Sequence, residues 1–241
     1  MLPISDDNRG RRSRPVVTYV LIALNVLVYM YQWLLSPEDL YRFLNQWAAV
    51  PAEISAGQAY FTLLTCTFLH GSWFHLGSNM LFLWIFGDNV EDVMGHVKFV
   101  VFYILTGVAA SAAQVWVDPE SRIALVGASG AISGVLAAYI VLFPRGRIIT
   151  LIFLGVFFTA TMLPAWVMIG YWIVVQIISG LGSLNAVGSE GGGVAFFAHI
   201  GGFVAGLVLV WLFRDPKRVE EQRTARQEYM NLESRRWGMR R

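Results

Sequence analysis

Four long stretches of this chain, 15–35, 54–87, 123–143 and 148–189, contain no Asp, Glu, Lys or Arg. A helix crosses a bilayer with roughly 20 mostly apolar residues, because the hydrocarbon core is about 30 Å thick and each residue rises about 1.5 Å. Charge-free stretches of this length fit a membrane better than water. Composition agrees: 56% of the 241 residues are hydrophobic, 14% are charged, and mean hydropathy is +0.55. Soluble domains carry about 25% charged residues.

These stretches predict six spans. The first is 15–35. The second is 73–87, behind an irregular lead-in rich in Gly, Thr and His, and the third is 99–117. The fourth starts near Gly127 and stops before Pro144, which ends helices. The uncharged run 148–189 is too long for one crossing, so Pro164 divides it. The fifth span is then 164–181, with 148–163 as an apolar lead-in at the interface, and the sixth is 194–213. The first span has a basic flank but no small-residue cleavage site, so it reads as a signal anchor. Ser36–Glu53 is the longest outer loop, and the glycine-rich segment after Leu181 reads as a flexible outer connection or hinge.

Lys and Arg fix the orientation. Arg9, Arg11, Arg12 and Arg14 precede the first span, Lys98 follows the second, Arg145 and Arg147 follow the fourth, and nine more lie beyond Phe213. Six crossings put all of these on one side and leave only Arg42 and Arg122 on the other. Both termini are therefore expected in the cytoplasm, with a solvated helix from Asp215 onward. The expected division is a basic N-terminal segment (1–14), a six-helix membrane domain (15–213) and a charged C-terminal tail (214–241). The short basic N-terminus favours a bacterial plasma membrane. One cysteine, Cys66, excludes an internal disulfide framework.

Polar side chains inside a membrane are costly and mark function. His75 and Asn79, four residues apart, share one face of the second span. Ser129, in Gly127-Ala128-Ser129-Gly130, opens the fourth span at the positive end of a helix dipole, beside unpaired amides. His199 lies at a matching depth in the sixth. Gly130 and Gly134, like Gly202 and Gly206, make surfaces on which helices approach closely. A serine needs a base to take its proton, histidine is the usual base, and the oxyanion that follows needs placed donors. The Ser129 amide, Asn79 and His75 are candidates for those donors. No carboxylate lies in a span to orient His199, so the pair reads as a dyad with the base held by packing. His70 and His75 are five apart, off a common helix face, with no carboxylate near them, so no metal is expected.

Read singly, each of these residues is also explained by packing or interhelical hydrogen bonding. Together, residues 70–79 (HGSWFHLGSN), Gly127-Ala128-Ser129-Gly130 and Ala198-His199-Ile200-Gly201-Gly202 with Gly206 resemble the rhomboid family of intramembrane serine proteases, over nearly the whole chain. The resemblance implies an all-α membrane protein, a six-transmembrane-helix rhomboid-like bundle. It implies Ser129 as nucleophile, His199 as base, His75 and Asn79 as oxyanion donors, and His70, Gly127, Gly130 and Gly202 as structural residues near the site. It also implies an outward-opening, water-filled cavity, gated by the fifth span and the segment after it. Substrates would be single-span membrane proteins in the lipid bilayer; no cofactor and no nucleic-acid partner is implied. Two positions depart from the pattern: Phe61-Thr62 stands where many relatives have Trp-Arg, and Ser133 where an aromatic residue often stacks on the histidine. The alternatives are a non-catalytic rhomboid-like binder of membrane proteins, against which the intact Ser129 and His199 argue, and a transporter, which calls for inverted repeats and a buried charge that the sequence lacks.

Overall fold

The computed structural model describes residues 1–8, 10–154, 157–184 and 195–236. Helix α1 (Val16–Leu34) turns Thr18, Leu21, Asn25, Tyr29 and Gln32 inward and leaves Val20, Leu24, Leu27 and Leu34 exposed. The alternating three- and four-residue spacing marks one helix face. Hiding amides while showing leucines inverts the soluble pattern and suits a lipid surround.

The outer connection is helical rather than a plain loop. Ser36 Oγ accepts the Asp39 amide at 3.2 Å, and Pro37 with two acidic residues in the first turn starts α2 (Pro37–Trp47). Short helices α3 (Pro51–Ser55) and α4 (Thr62–Thr65) and a 3-10 turn, Cys66–Phe68, lead to α5 (Trp73–Met94). Gly95, at φ +78, lets the chain break there, and α6 (His96–Val117) follows at once. Then come α7 (Ser129–Leu142), α8 (Ala165–Leu184), α9 (Phe196–Phe213) and α10 (Pro216–Arg236). Among the described residues, four helices are long and apolar enough to cross a membrane: α1, α6, α8 and α9. This is an integral membrane protein. Helix α7 is apolar but only 14 residues long, and α5 carries three carboxylates in its last turns.

The expectation of a purely helical chain is corrected by a three-stranded sheet, ordered β1-β2-β3. The apolar lead-in at 148–163 is not a loose interfacial segment. It forms an antiparallel hairpin of β2 (Arg147–Leu154) and β3 (Phe157–Pro164), with Ile148 opposite Leu163 and Ile152 opposite Thr159. Its Ile, Thr and Phe residues are the β-branched and aromatic types that favour strands. The N-terminal β1 (Leu2–Asp6) pairs with the other edge of β2, and Pro3, which has no N–H, is tolerated on that outer strand. The tail is helical as expected, but it is not solvated all round, since Val219, Gln222 and Arg226 are buried. The glycine-rich segment beyond Leu184, to which a hinge and gate were ascribed, lies outside the described residues.

Helix α7 sits at the centre, with Gly130–Tyr139 buried. Helix α9 packs on it through glycines: a methyl group on Gly202 would run into the Gly130 carbonyl, and one on Gly206 would meet the Gly134 oxygen at 2.5 Å. On the other side, a methyl on Gly130 would meet Ala110 Cβ at 2.5 Å, and one on Gly134 would meet Thr106 Cβ at 2.5 Å. Three helices therefore meet at backbone distance.

At the opposite end from Ser129, the last turns of α5 bury Asp88, Asn89, Glu91 and Asp92. Glu91 accepts the Val17 and Thr18 amides at 2.9 and 2.8 Å, so it caps α1 from a neighbouring helix. Asp92 takes the Ser13 amide at 2.8 Å and Gln222 Nε2 at 2.6 Å, and Asp88 takes Arg11 at 2.5 Å. Asp6 Oδ2 accepts Tyr139 Oη at 2.7 Å and Asn89 Nδ2 at 2.8 Å, while its Oδ1 is buried with no partner among the described residues.

Two predictions follow from this packing. Gly202→Ala should lower stability by about 1–3 kcal/mol, the usual range for overpacking, measured as thermal unfolding in detergent. The second concerns Asp6, whose carboxyl is pushed up to about 7, first by burial and then by the charge of Asp88. The folded chain holds this proton more tightly than the unfolded chain, so stability falls as pH rises from about 4 to about 7 and levels off above that. In Asp6→Asn the difference between unfolding midpoints at about pH 5 and about pH 8 should shrink; an unchanged difference would remove Asp6 from the account.

Candidate active site

Ser129 is the first residue of α7, so the amides of that first turn have no helical acceptor. Gly127 sets its position. The Gly127 amide donates to the Cys66 carbonyl at 2.9 Å, and its φ of +132 favours glycine. A side chain there would meet the His75 ring at 2.8 Å. The glycine contacts between α7 and α9 then bring the two helix starts together, and His199 Nε2 lies 2.8 Å from Ser129 Oγ.

The imidazole of His199 has two further neighbours, both from α8. Its Nδ1 lies 2.8 Å from Gln176 Oε1, and the Trp172 ring lies 5.7 Å away, tilted by 38°. Packing alone, the expected means of orienting His199, is thus supplemented by a hydrogen bond. Ser133, one turn after Ser129, does not reach the histidine: its hydroxyl donates back to the Ser129 carbonyl at 2.6 Å. Trp172 supplies the aromatic face that Ser133 lacks, from a different helix. Gln176 escapes a search confined to His, Ser and Asn, yet the cost of a buried amide in a span marks it just as it marks Asn79.

His75 and Asn79 line the same cavity, of about 760 Å³, with Ser129, Trp172, Gln176 and His199. The Gly71 amide points at His75 Nδ1 at 3.5 Å, which leaves Nε2–H as that ring's donor. Asn79 Nδ2 donates to His70 Nε2 at 3.1 Å and keeps a second hydrogen for the cavity. His70 is buried and gripped by α1 through both backbone groups: its amide donates to Gln32 Oε1 at 3.1 Å, and its carbonyl accepts Gln32 Nε2 at 3.2 Å. Gln32 is a second polar span residue that the motifs pass over. The outer segment around Phe61-Thr62 is held by other means than the Trp-Arg of relatives. Phe61 packs on Trp47 at 5.8 Å, Thr65 Oγ1 donates to the Trp47 carbonyl at 2.7 Å, and Ala49 pairs with Leu125 just before the site.

The arrangement therefore places a hydroxyl, an imidazole and several N–H donors around one cavity. That set can carry out acyl transfer through an oxyanion.

Comparison with known proteins gives the family. Residues 57–216 match the Rhomboid domain family model. The chain is 30% identical over 216 residues to "Rhomboid protein 1, mitochondrial" of Saccharomyces cerevisiae, covering 87% of this chain and 56% of that protein. It is 29% identical over 212 residues to "Rhomboid-like protein 11, chloroplastic" of Arabidopsis thaliana, covering 86% and 68%. It is 29% identical over 198 residues to "Rhomboid protease GluP" of Bacillus subtilis, covering 81% and 34%. The chain thus spans little more than half the length of the yeast relative. With the match covering most of its length, the chain belongs to the rhomboid family.

Proposed function

We propose that this protein is an intramembrane serine endopeptidase that hydrolyses peptide bonds in or near the transmembrane segments of other membrane proteins. The observation that carries this reading is the 2.8 Å contact between Ser129 Oγ and His199 Nε2 inside a cavity lined with donors. One relative is itself named a rhomboid protease.

In this reading six helices cross the membrane, with α5 and α7 added to the four long apolar ones and both termini in the cytoplasm. Helix α7, with 14 residues, spans only about 21 Å at about 1.5 Å per residue, against a core of about 30 Å. With its Leu142 end at the inner surface, Ser129 sits below the outer surface and reaches water through the cavity. The relatives are named as mitochondrial, as chloroplastic and from Bacillus subtilis, so the expected bacterial plasma membrane is not supported by them.

The chemistry is acyl transfer. His199 Nε2 takes the Ser129 proton as Oγ attacks the substrate carbonyl carbon. The oxygen of the tetrahedral intermediate is stabilised by the Ser129 amide, Asn79 Nδ2 and His75 Nε2. The intermediate collapses as the C–N bond breaks, and His199 returns the proton to the leaving amine. Water, deprotonated by the same nitrogen, then hydrolyses the acyl-serine. His70 acts through Asn79, and Gly127, Gly130 and Gly202 act by permitting the close approach of helices.

Ser129→Ala should abolish cleavage of a single-span substrate and reaction with a fluorophosphonate probe, while the unfolding midpoint stays near that of the unaltered protein. His199→Ala should be nearly as damaging, because nucleophile and base act as a unit. Asn79→Ala should cost at most about 10²–10³ in rate, since other donors remain. Undiminished cleavage by Ser129→Ala would end the serine-protease reading, whereas substrate binding without cleavage or probe reaction by the unaltered protein would favour a rhomboid-like binder.

A peptide bond in a regular helix is shielded, so the substrate must unwind at the site. Glycine and proline lower that cost, at about 1 and about 3 kcal/mol relative to alanine in a helix interior. Cleavage is expected near the outer end of the span, after a small residue such as Ala, with Gly or Pro downstream. Replacing those breakers with Leu should slow product formation, read by mass spectrometry. A cut at the cytoplasmic end would overturn this account.

A further inference from the structure

We infer that Gln176 is a positioning residue for the proposed base: its carbonyl oxygen holds the Nδ1–H of His199, and this keeps Nε2 unprotonated and facing Ser129. The inference rests on the serine-protease reading and adds a third polar member to its dyad, supplied by a helix that carries neither of the other two.

Three observations converge on this assignment. First, Oε1 of Gln176 is 2.8 Å from Nδ1 while Nε2 of the same histidine is 2.8 Å from Ser129 Oγ, so both ring nitrogens are engaged. A neutral imidazole carries its proton on one nitrogen only, and the hydrogen bond at one nitrogen decides the state of the other. With a carbonyl oxygen at Nδ1, the proton stays there and Nε2 is free to accept. Second, the amide's own orientation is fixed. Gln176 Nε2 donates to the Trp172 carbonyl, one turn back on α8, at 3.4 Å. Turning the amide over would set its oxygen against that carbonyl oxygen and its N–H against Nδ1, and so favour the tautomer that cannot take the serine proton. Third, beyond these two bonds Gln176 makes no other hydrogen bond among the described residues. Gln176 is 8% exposed in a span that contains no charged residue. A buried amide in an apolar helix is expensive unless it is partnered.

The choice of an amide over a carboxylate also follows from its surroundings. A carboxylate at this depth would cost far more to bury, since no Lys or Arg is among the described residues that line the cavity. An amide sets the tautomer without bringing charge. It is a weaker aid than the carboxylate of a triad, whose replacement by an amide costs about 10⁴-fold by installing the wrong tautomer.

The test uses the full-length protein in lipid with a cleavable single-span substrate. Gln176→Leu should lower kcat roughly 10- to 100-fold, a part of the about 10²–10⁴-fold that a placed base contributes, with KM little changed. Gln176→Glu keeps an acceptor of the same length. It should restore much of kcat at alkaline pH and move the acidic limb of the pH–rate profile to higher pH, because a carboxylate stabilises the imidazolium. A Gln176→Leu variant with unaltered kcat, while Ser129→Ala is inactive, would reduce Gln176 to packing and leave the protease reading standing. Should Gln176→Leu fail to fold, Gln176→Glu decides alone: an unmoved acidic limb overturns the assignment. Full cleavage by Ser129→Ala would instead strike down the protease reading itself.

Discussion

Everything at the site depends on how closely α9 approaches α7. Two helices with ordinary side chains pack with axes about 8–10 Å apart, and here Gly130, Gly134, Gly202 and Gly206 remove the side chains at the contact. There is no hydrophobic force between apolar helices in lipid, so the association draws on van der Waals contact between backbones. The geometry that results is rigid, because no side chain at the contact can change rotamer to yield. The hydroxyl and imidazole do not have to find each other; each is fixed at the start of a helix whose position the glycines have already set.

Polar groups in the bundle are arranged around this fixed contact in two layers. Nearest the cavity are Ser129, His199, His75 and Asn79. Beside and behind them stand groups that hold those side chains in place: Gln32 on the backbone of His70, His70 on Asn79, and, also lining the cavity, Gln176 with Trp172 on His199. Gln32 from α1 and Gln176 with Trp172 from α8 reach across to other elements, whereas His70 stands in the segment leading into α5, which carries Asn79, and Ser133 serves its own helix. The buried amides of Gln32 and Gln176 are tolerable in a membrane because each finds a partner, and in finding it each ties two elements together.

Much of this was legible in the sequence. Uncharged stretches gave the apolar helices, Pro144 follows the end of α7, and the glycine spacing anticipated the contact between α7 and α9; the second span, expected to stop at Gly87, runs on through its carboxylates to Met94. What could not be read were relations between segments far apart in the chain. The strand character of 147–164 is masked by an apolar composition that suits a membrane lead-in equally well; its two halves pair with each other, and β1, more than a hundred residues earlier, adds the third strand. The role of Gln176 is hidden for the same reason. One amide in a hydrophobic helix has no motif around it, and its meaning lies in His199, on another helix.

The acidic end of α5 bears on how the chain is made. Its carboxylates are closed over from two directions: residues 11–18 are made before α5, and α10 is made after it. Arg12 and Ser13 can reach Asp92 as soon as α5 has emerged, but the Gln222 amide and the Arg226 bond to Asn89 come only once α10 has been made. A nascent chain that stops short of α10 therefore leaves Asp92 and Asn89 with unmet hydrogen-bonding capacity at the membrane surface. Segments on either side of α5 in the chain thus meet on one helix end, and neither closes it alone.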